Sequence, residues 1–411
     1  VARRCIYGVD INPLSTELAR LSIWVHTFVP GLPLTFLDYN LVTGDSLAGI
    51  GTLDEVTELL DMEQSSLEMF MGGKSVIDEV RDDISRLGNF ADASAEQVQE
   101  ARKTRTEIEE SLKQVRARFD ILAASRIDDE IDTEAVSDTS VDDITSLPEY
   151  DRAQQVLESI DPLHFPASFP EVFDGDRSGF DVIVGNPPWE KTKVERDVFW
   201  KMYYPGLYEA TQTEVENRIS ELEQERPDLL NELENLRREE SVRSSILTNG
   251  PYPIGGSDPD LYAGFAWRFW SLINDGGHSG MVLPRAALLG PKTETFRKKV
   301  VTEGTTYDLT LLTNNRGWVF ENVHPQYSIA LWSIGNTAPS EDTQFPLRGP
   351  YSSLEKYEQR EEPYRFSLDM EEQWAKTAFP MLPSNPGTVN ALKSLSDAPM
   401  LDHEDESQNW R

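Results

Sequence analysis

The sequence predicts an α/β fold interrupted by helical insertions, and a few alternating segments carry this prediction. An apolar strand and a helix follow each other over residues 5–28. Two more segments, 180–185 and 280–284, are short and apolar, as buried strands are. Long polar stretches at about 51–160 and 212–243 instead carry apolar residues at helical spacing. We therefore expect an α/β core with two helical insertions.

The first strand and helix are delimited by recognisable end signals. Residues 5–9 are predicted to form a short buried strand that ends at Asp10. Asn12 and Pro13 suit the N-cap and the first turn of a helix. The apolar positions of that helix are Leu14, Leu18, Leu21, Val25 and Phe28. Residues 40–43 are the next predicted strand, and Gly44-Asp45-Ser46 follows it.

Both insertions are predicted to be helical and acidic. In 51–160 the apolar residues repeat at steps of four and three, namely Ile108, Leu112, Val115, Phe119 and Leu122. Two heptads are too few for a long coiled coil, so a helical hairpin packed on itself or on the core is expected. In 212–243 the repeat runs through Val215, Ile219 and Leu222, then through Leu229, Leu233 and Leu236. Pro227 should end the first of these two helices.

The core resumes at the strand 180–185, which leads into Asn186-Pro187-Pro188-Trp189. A helix is predicted from Leu261 to Asn274, with Leu261, Phe265, Arg268 or Phe269, and Leu272 on one side. The segment 280–284 is another strand. Two late strands near 307–313 and 326–334 alternate as an antiparallel pair does. Beyond about 345 the sequence is rich in proline and polar residues.

Composition excludes several classes of protein. No apolar run approaches the ~18 residues of a membrane span, and residues 1–8 do not resemble a signal peptide. The single cysteine, Cys5, cannot form an internal disulfide, and no Cys/His cluster has zinc spacing. The five His residues are scattered along the chain. We therefore predict a cytoplasmic protein without a metal.

The net charge of −34 is unexpected for a protein with the motifs described below. Nucleic-acid-binding surfaces are usually basic, because neutralised phosphates release counterions. Either the chain binds no nucleic acid, or it is adapted to molar salt, which screens repulsion between carboxylates. We favour the halophilic interpretation because of the sequence motifs that are considered next.

Asn186-Pro187-Pro188-Trp189 suits the activation of an aromatic exocyclic amine. The lone pair of such an amine is delocalised into the ring, and two acceptors aimed at its hydrogens would localise it. An Asn side-chain oxygen and a backbone carbonyl can both accept without being protonated. Two prolines stiffen the loop, and Trp189 offers a face for stacking. The alternative is an ordinary turn after a strand, since Asn-Pro is common in turns.

This signature after an apolar strand resembles the N6-adenine DNA methyltransferases of restriction-modification and phage-defence systems. The resemblance covers roughly 1–50 and 161–335 and implies a Rossmann-like core that uses S-adenosyl-L-methionine. It implies that Asn186 and the carbonyl of Pro187 hold the adenine amine, and that Trp189 stacks on the flipped base. Pro188 completes the motif. The implied partners are double-stranded DNA with a flipped adenine and other restriction or defence subunits.

The same resemblance assigns candidate cofactor residues. Asp10, at the end of the first strand, resembles the acidic residue that binds the ribose hydroxyls. Asp45 resembles the acidic contact to the adenine amine of the cofactor. Tyr262 and Phe265 match the helix that closes the cofactor pocket. A helix-capping turn at Asp10 and a plain core helix at 261–274 are the respective alternatives.

Two residues of the late hairpin, Phe320 and Trp332, are candidates for the second aromatic that stacks on the flipped base. Lys191, Lys193 and Arg196 follow the catalytic motif and are candidates for phosphate contacts. A solvated charged face would explain these three side chains equally well.

The predicted domain organisation follows from these assignments. Residues 1–50 and 161–345 form the two parts of the methyltransferase core, and 51–160 is the acidic insertion. Residues 346–411 would begin a C-terminal target-recognition region or a linker, as in type IIG and BREX-type methylases. The glycine-rich loop of the family is missing, and by spacing it should precede residue 1. The expectation is a C-terminal part of a larger gene product that is inactive by itself.

Two other functions stay open at this point. One is a catalytically inactive DNA- or partner-binding subunit of a defence complex, which would fit the missing glycine-rich loop. The other is a glutamine-N5 protein methyltransferase, which shares the Asn-Pro-Pro-aromatic motif. Such enzymes usually carry Tyr where this chain has Trp189, and they are compact, whereas this chain has long insertions.

Overall fold

In the computed structural model, the described residues are 5–27, 37, 40–61, 83, 95–139, 141–173, 178–189, 194–255, 259–321, 323–325, 327–376, 378–380 and 386–395. They form a mixed α/β structure, which confirms the predicted fold class. The chain divides into two compact units. The first consists of Val1–Ser178 and Thr192–Tyr252, and the second of Gly179–Lys191 and Pro253–Arg411.

The first unit contains a pair of parallel strands and the helix that connects them. β1 (Gly8–Asp10) pairs with β2 (Leu41–Thr43), and α1 (Pro13–His26) lies between them in sequence. β1 is shorter than the predicted strand because residues 6 and 7 make no ladder with β2. The predicted N-cap is confirmed, since the Asn12 side chain accepts a hydrogen bond from the Leu14 amide at 2.9 Å.

The apolar residues that predicted α1 by their spacing are exposed where the structure describes them. Leu14, Leu18, Leu21 and Val25 are 45–65% exposed, and Phe28 lies outside the described residues. Ile23 and Trp24 pack against Leu37 and Leu41 instead. At 3.6 residues per turn, Ile23 lies on the side of the helix opposite the exposed apolar residues. The helix therefore uses that opposite side to contact β2.

Most of the first unit is helical. The 51–160 stretch and the residues that follow it form these helices: α2 (Leu53–Leu59), α3 (Ala95–Ser111), α4 (Lys113–Ser125), α5 (Thr133–Asp138), α6 (Pro148–Leu157), α7 (Phe165–Ser168) and α8 (Pro170–Phe173). The predicted helix through 108–122 is divided between α3 and α4 at Leu112. All five predicted apolar positions of that segment are at most 4% exposed and belong to one core cluster.

The second insertion is helical and is divided at Pro227, as predicted. α9 (Arg196–Tyr203) precedes α10 (Gln212–Glu225) and α11 (Pro227–Asn249). Pro227 separates the last two helices and occupies the first turn of α11, where its missing amide hydrogen costs nothing. The predicted apolar positions of both helices join α9 in a separate core cluster, with Leu236 only partly buried.

The second unit is built on a six-stranded mixed sheet. Its strands are β3 (Phe180–Gly185), β4 (Ile273–Pro284), β5 (Thr305–Thr313), β6 (Ser328–Gly335), β7 (Gln344–Tyr351) and β8 (Tyr364–Ser367), in the order β3-β4-β6-β5-β7-β8. β3 is parallel to β4, and β5 is antiparallel to β6 as predicted. The helices of this unit are α12 (Leu261–Leu272), α13 (Glu294–Glu303), α14 (Leu354–Glu358), α15 (Leu368–Lys376) and α16 (Pro386–Leu395).

Two features of this sheet correct the sequence prediction. β3 is not buried on both faces: Val182 is 61% and Val184 is 78% exposed. Within the described part of this unit β3 is an edge strand, with β4 as its neighbour. In addition, β7 and β8 continue the sheet beyond residue 345, so the predicted domain boundary at 345/346 falls inside β7.

Candidate functional site

The Asn-Pro-Pro-Trp loop leaves the sheet at the carboxyl end of β3. The last paired residue of that strand is Gly185, which is in register with Met281 of β4. Asn186 is exposed, Pro187 is buried, and Trp189 is half-buried. A side chain at position 185 would bring its Cβ within 2.5 Å of the Phe269 ring, so glycine lets α12 pack directly beneath the loop. The burial of Pro187 and the close packing of α12 against Gly185 restrict the movement of the loop.

Trp189 is fixed by a backbone contact. Its indole Nε1 donates a hydrogen bond to the carbonyl oxygen of Val282 at 3.2 Å. Val282 lies one residue beyond the last residue of β4 that pairs with β3. The indole therefore donates to a carbonyl of β4 that lies beyond the residues paired with β3. This hydrogen bond fixes the orientation of the Trp189 ring.

The structure brings Phe320, but not Trp332, against the loop. The ring centroids of Trp189 and Phe320 are 5.6 Å apart, and the rings meet edge to face at 88°. Trp332 is 1% exposed, donates to the Thr306 hydroxyl and packs against Phe296 and Phe379. This burial corrects the expectation for Trp332, because a core residue has no free face for a base. Phe320 is the candidate that we retain.

The candidate cofactor carboxylates follow two neighbouring parallel strands of the first unit. Asp10 ends β1, and the amide of Gly44 donates to its backbone carbonyl at 3.1 Å. One carboxylate oxygen of Asp10 accepts from the Asn12 amide at 2.8 Å, so the helix-capping turn is present. The Asp10 carboxylate is exposed, and no described residue bonds to its second oxygen, which could accept from a ligand hydroxyl. Capping and ribose binding are therefore compatible.

Asp45 is buried and supports the turn that follows β2. Its Oδ1 accepts from the amides of Leu47 and Ala48 at 2.9 and 3.2 Å. Its Oδ2 faces Arg243 of α11 at 3.3 Å. A carboxylate offers about four acceptor positions, so one more donor can still be accommodated. Arg243 was not identified from the sequence, because nothing in an acidic helix distinguishes one arginine from the others.

The pocket-helix candidates differ in their surroundings. Tyr262 is 4% exposed, and its hydroxyl donates to Asp260 Oδ2 at 3.3 Å. Burial, and then the neighbouring Asp260 carboxylate, raise the pKa of the Tyr262 hydroxyl. Phe265 is half-buried and meets Phe269 edge to face at 6.1 Å. Tyr262 thus belongs to the interior of the second unit, while the Phe265 ring is partly accessible.

The three basic candidates contribute little to a described site. Lys191 and Lys193 lie outside the described residues. Arg196 forms a two-point ion pair with Glu223, with both nitrogen–oxygen distances at 2.6 Å. A phosphate would have to compete with that carboxylate.

The site residues fall into two sets. Asp10 and Asp45 belong to the first unit, and the 186–189 loop, Phe265 and Phe320 belong to the second. In the described part of the chain no group of His, Cys, Asp and Glu is arranged to hold a metal ion. No described helix is long and apolar enough to cross a membrane.

A family model for the Eco57I restriction-modification methylases matches residues 4–220, which is more than half of the 411 residues. The chain belongs to this family. The Eco57I match includes β1, β2, β3 and the Asn-Pro-Pro-Trp loop. No curated protein sequence matches the chain.

Several solved structures are distantly similar. One is described as "Structural basis underlying complex assembly and conformational transition of the type I R-M system", with 12% identity, 53% of this chain and 42% of that chain covered, and a TM-score of 0.31. A DrdV–DNA complex has 15% identity and a TM-score of 0.26, and the match covers 48% of this chain and 18% of that chain. The type ISP enzyme LlaBIII bound to DNA has 11% identity and a TM-score of 0.25, and the match covers 96% of this chain and 25% of that chain. The chain spans less than half the length of each of these relatives.

Proposed function

We propose that the protein containing this chain transfers a methyl group from S-adenosylmethionine to the N6 amine of adenine in duplex DNA. Membership in the Eco57I methylase family supports the reaction class and a role in restriction-modification or phage defence. The observation that carries the proposal is the loop after β3, where an exposed Asn186 precedes two prolines and an anchored Trp189 faces Phe320.

The loop residues act by positioning. The Asn186 side-chain oxygen and the Pro187 carbonyl would each accept one hydrogen of the adenine amine, which localises the nitrogen lone pair. Neither acceptor takes up a proton itself, and no covalent enzyme intermediate is formed. Trp189 would stack on one face of the adenine after the base leaves the duplex. The indole is held in this orientation by Val282, so little ordering remains to be done when the base arrives.

The carboxylates of the first unit fit S-adenosylmethionine, which would supply an electrophilic methyl sulfonium. Asp10 has a free carboxylate oxygen at the carboxyl end of β1, where ribose hydroxyls are bound in related folds. Asp45 follows the next parallel strand and retains acceptor capacity for the cofactor's adenine amine. Phe265 of the second unit remains a candidate cofactor residue from the sequence resemblance alone.

Replacing Asn186 by Ala in the complete protein separates chemistry from binding. The variant should still bind cofactor and DNA, because Asn186 is assigned only to the target amine. Its single-turnover methylation rate should fall by ~10²-fold or more, the scale seen when one well-placed polar catalytic contact is lost. Trp189→Phe is the matched control, since it keeps an aromatic face and should retain much of the activity. An Asn186→Ala protein that methylates at the parent rate would refute the mechanism.

A further inference from the structure

The loop that carries Phe320 is organised around one buried amide. Asn314 follows β5 and is 0% exposed. Its Nδ2 donates to the carbonyls of Phe320 and Val323, both at 2.8 Å. Its Oδ1 accepts from the amides of Val319 and Phe320 at 3.1 and 3.0 Å. A carboxamide has two donor hydrogens and two acceptor lone pairs, so every hydrogen-bonding position of this side chain is used.

These bonds hold a backbone that would not adopt this shape by itself. Arg316 and Gly317 both have left-handed backbone conformations, with φ of 60° and 70°. An arginine in that region is disfavoured and persists where its surroundings determine the conformation. Trp318 supplies a further anchor, since its Nε1 donates to the Thr313 carbonyl at 2.7 Å and its ring lies beside Tyr357 of α14.

Phe320 is the residue most tightly fixed by the amide. Both its backbone amide and its carbonyl bond to Asn314, so neither end of this residue can shift without breaking a hydrogen bond. The Phe320 ring nevertheless contacts the Trp189 indole at 5.6 Å. A base stacked between two rings needs about 7 Å, because each aromatic contact takes about 3.5 Å. One ring must therefore turn before a base can enter.

We propose that Asn314 is a positioning residue that fixes the Phe320 backbone, so that only the Phe320 ring swings to admit the flipped adenine and then closes on its second face. The inference rests on the proposed function, since it assumes that Trp189 and Phe320 receive a base. Asn314 itself touches neither the base nor the cofactor and acts through Phe320.

The variants Asn314→Ala, Phe320→Ala and the double variant test this in the complete protein. Base retention is measured by the fluorescence of 2-aminopurine at the target adenine, alongside KM for DNA and single-turnover rates. Each single variant should lower retention roughly tenfold or more, the scale of one base–aromatic stack. The double variant should be no worse than Phe320→Ala. Asn336→Ala, at a half-buried Asn just after β6, should leave the signal unchanged.

Hydrogen exchange in the parent protein provides a test that needs no variant. The Val319 and Phe320 amides should exchange slowly and stay protected when duplex DNA with its target site binds. Loss of that protection on binding would overturn the fixed backbone, as would a double variant clearly worse than Phe320→Ala. A parent protein that gives no 2-aminopurine signal and no methylation would instead overturn the proposed function.

Discussion

Glu371 is a carboxylic acid enclosed in the second unit, on α15. It is 2% exposed, and Oε1 has no hydrogen-bond partner among the described residues. Burial raises the pKa of Glu371 from its usual 4.5 to about 7, and a hydrogen bond with Thr306 offsets only part of the rise. Thr306 also accepts from the Trp332 indole, so the carboxyl adjoins the aromatic core.

Replacing Glu371 by Gln should stabilise the protein at alkaline pH. The pKa of Glu371 is higher in the folded than in the unfolded protein. The protonated carboxyl therefore contributes its full stability to the fold below about pH 4.5, and this contribution is lost as the pH rises through about 7. This shift corresponds to roughly 3 kcal/mol of unfolding free energy at about pH 8. Denaturant unfolding should show Glu371→Gln exceeding the parent at about pH 8 and differing little at about pH 5. Identical pH dependence in both proteins would contradict the assignment.

Candidate site residues could be proposed from the sequence alone where their motif is contiguous. Asn186 and its two prolines form a contiguous signature after a strand, so no tertiary information was needed to choose them. The choice between Phe320 and Trp332 could not be made in this way. β6 lies between β4 and β5 inside the sheet and is largely buried on both faces. The alternation of residues 326–334 predicted a strand but not its place between two others, so it could not show that Trp332 is a core residue.

At the scale of elements, a buried ion pair ties α2 to the end of α4. Arg126 Nη2 lies 3.0 Å from Glu55 Oε2, and the two side chains are 2% and 6% exposed. Arg126 also reaches the Gly49 carbonyl at 3.4 Å, and Glu55 accepts from the Gly51 amide. Both partners thus brace the segment that follows β2 and Asp45.

Arg126→Met should destabilise the first unit by about 3–5 kcal/mol, because it leaves the Glu55 carboxylate buried without its cation. Arg218→Met is the matched control: Arg218 pairs with Glu221 and Glu225 on the exposed side of α10, where water screens the charges. Denaturant unfolding should show a large loss for the first variant and none for the second. Equal, small effects would mean that the buried pair is no stronger than the surface pair.

The elements differ in how well the sequence predicted them. Pro227 sets the boundary between α10 and α11 by removing a backbone donor, and this local rule holds in the structure. The exposure of Val182 and Val184 could not be predicted, because an apolar strand looks the same at an edge and in the middle of a sheet. The apolar spacing in α1 likewise predicted the helix, which is present, but not which of its sides is covered.

At the scale of the whole molecule, the change in composition near residue 345 led to a predicted domain boundary, although two further strands of the sheet lie there. β8 is short, α14 separates it from β7, and the surrounding sequence is rich in proline and polar residues. Their pairing is with β5 and with each other, so the sheet is completed by contacts distant in sequence. The pattern of apolar and polar residues within one segment does not show which distant strand it pairs with.

The acidic excess predicts how stability responds to salt. With 72 acidic and 38 basic residues, self-repulsion should weaken the folded state in dilute buffer. At 1 M salt the screening length falls to about 3 Å, so the melting temperature should rise with KCl into the molar range. A neutral osmolyte at the same osmolality is the control for excluded-volume effects. A melting temperature that stays flat or falls with KCl would refute the halophilic interpretation.

The identity of the methylated product tests most directly whether the protein methylates the N6 amine of adenine in DNA. The complete protein would be incubated with unmethylated duplex DNA and S-adenosylmethionine carrying an isotopically labelled methyl group, and the digested DNA analysed by mass spectrometry. We expect labelled N6-methyladenine from the parent protein and a loss of that product with Asn186→Ala. Label found on cytosine or on a protein glutamine, or no labelled DNA from an intact protein that binds both substrates, would contradict it.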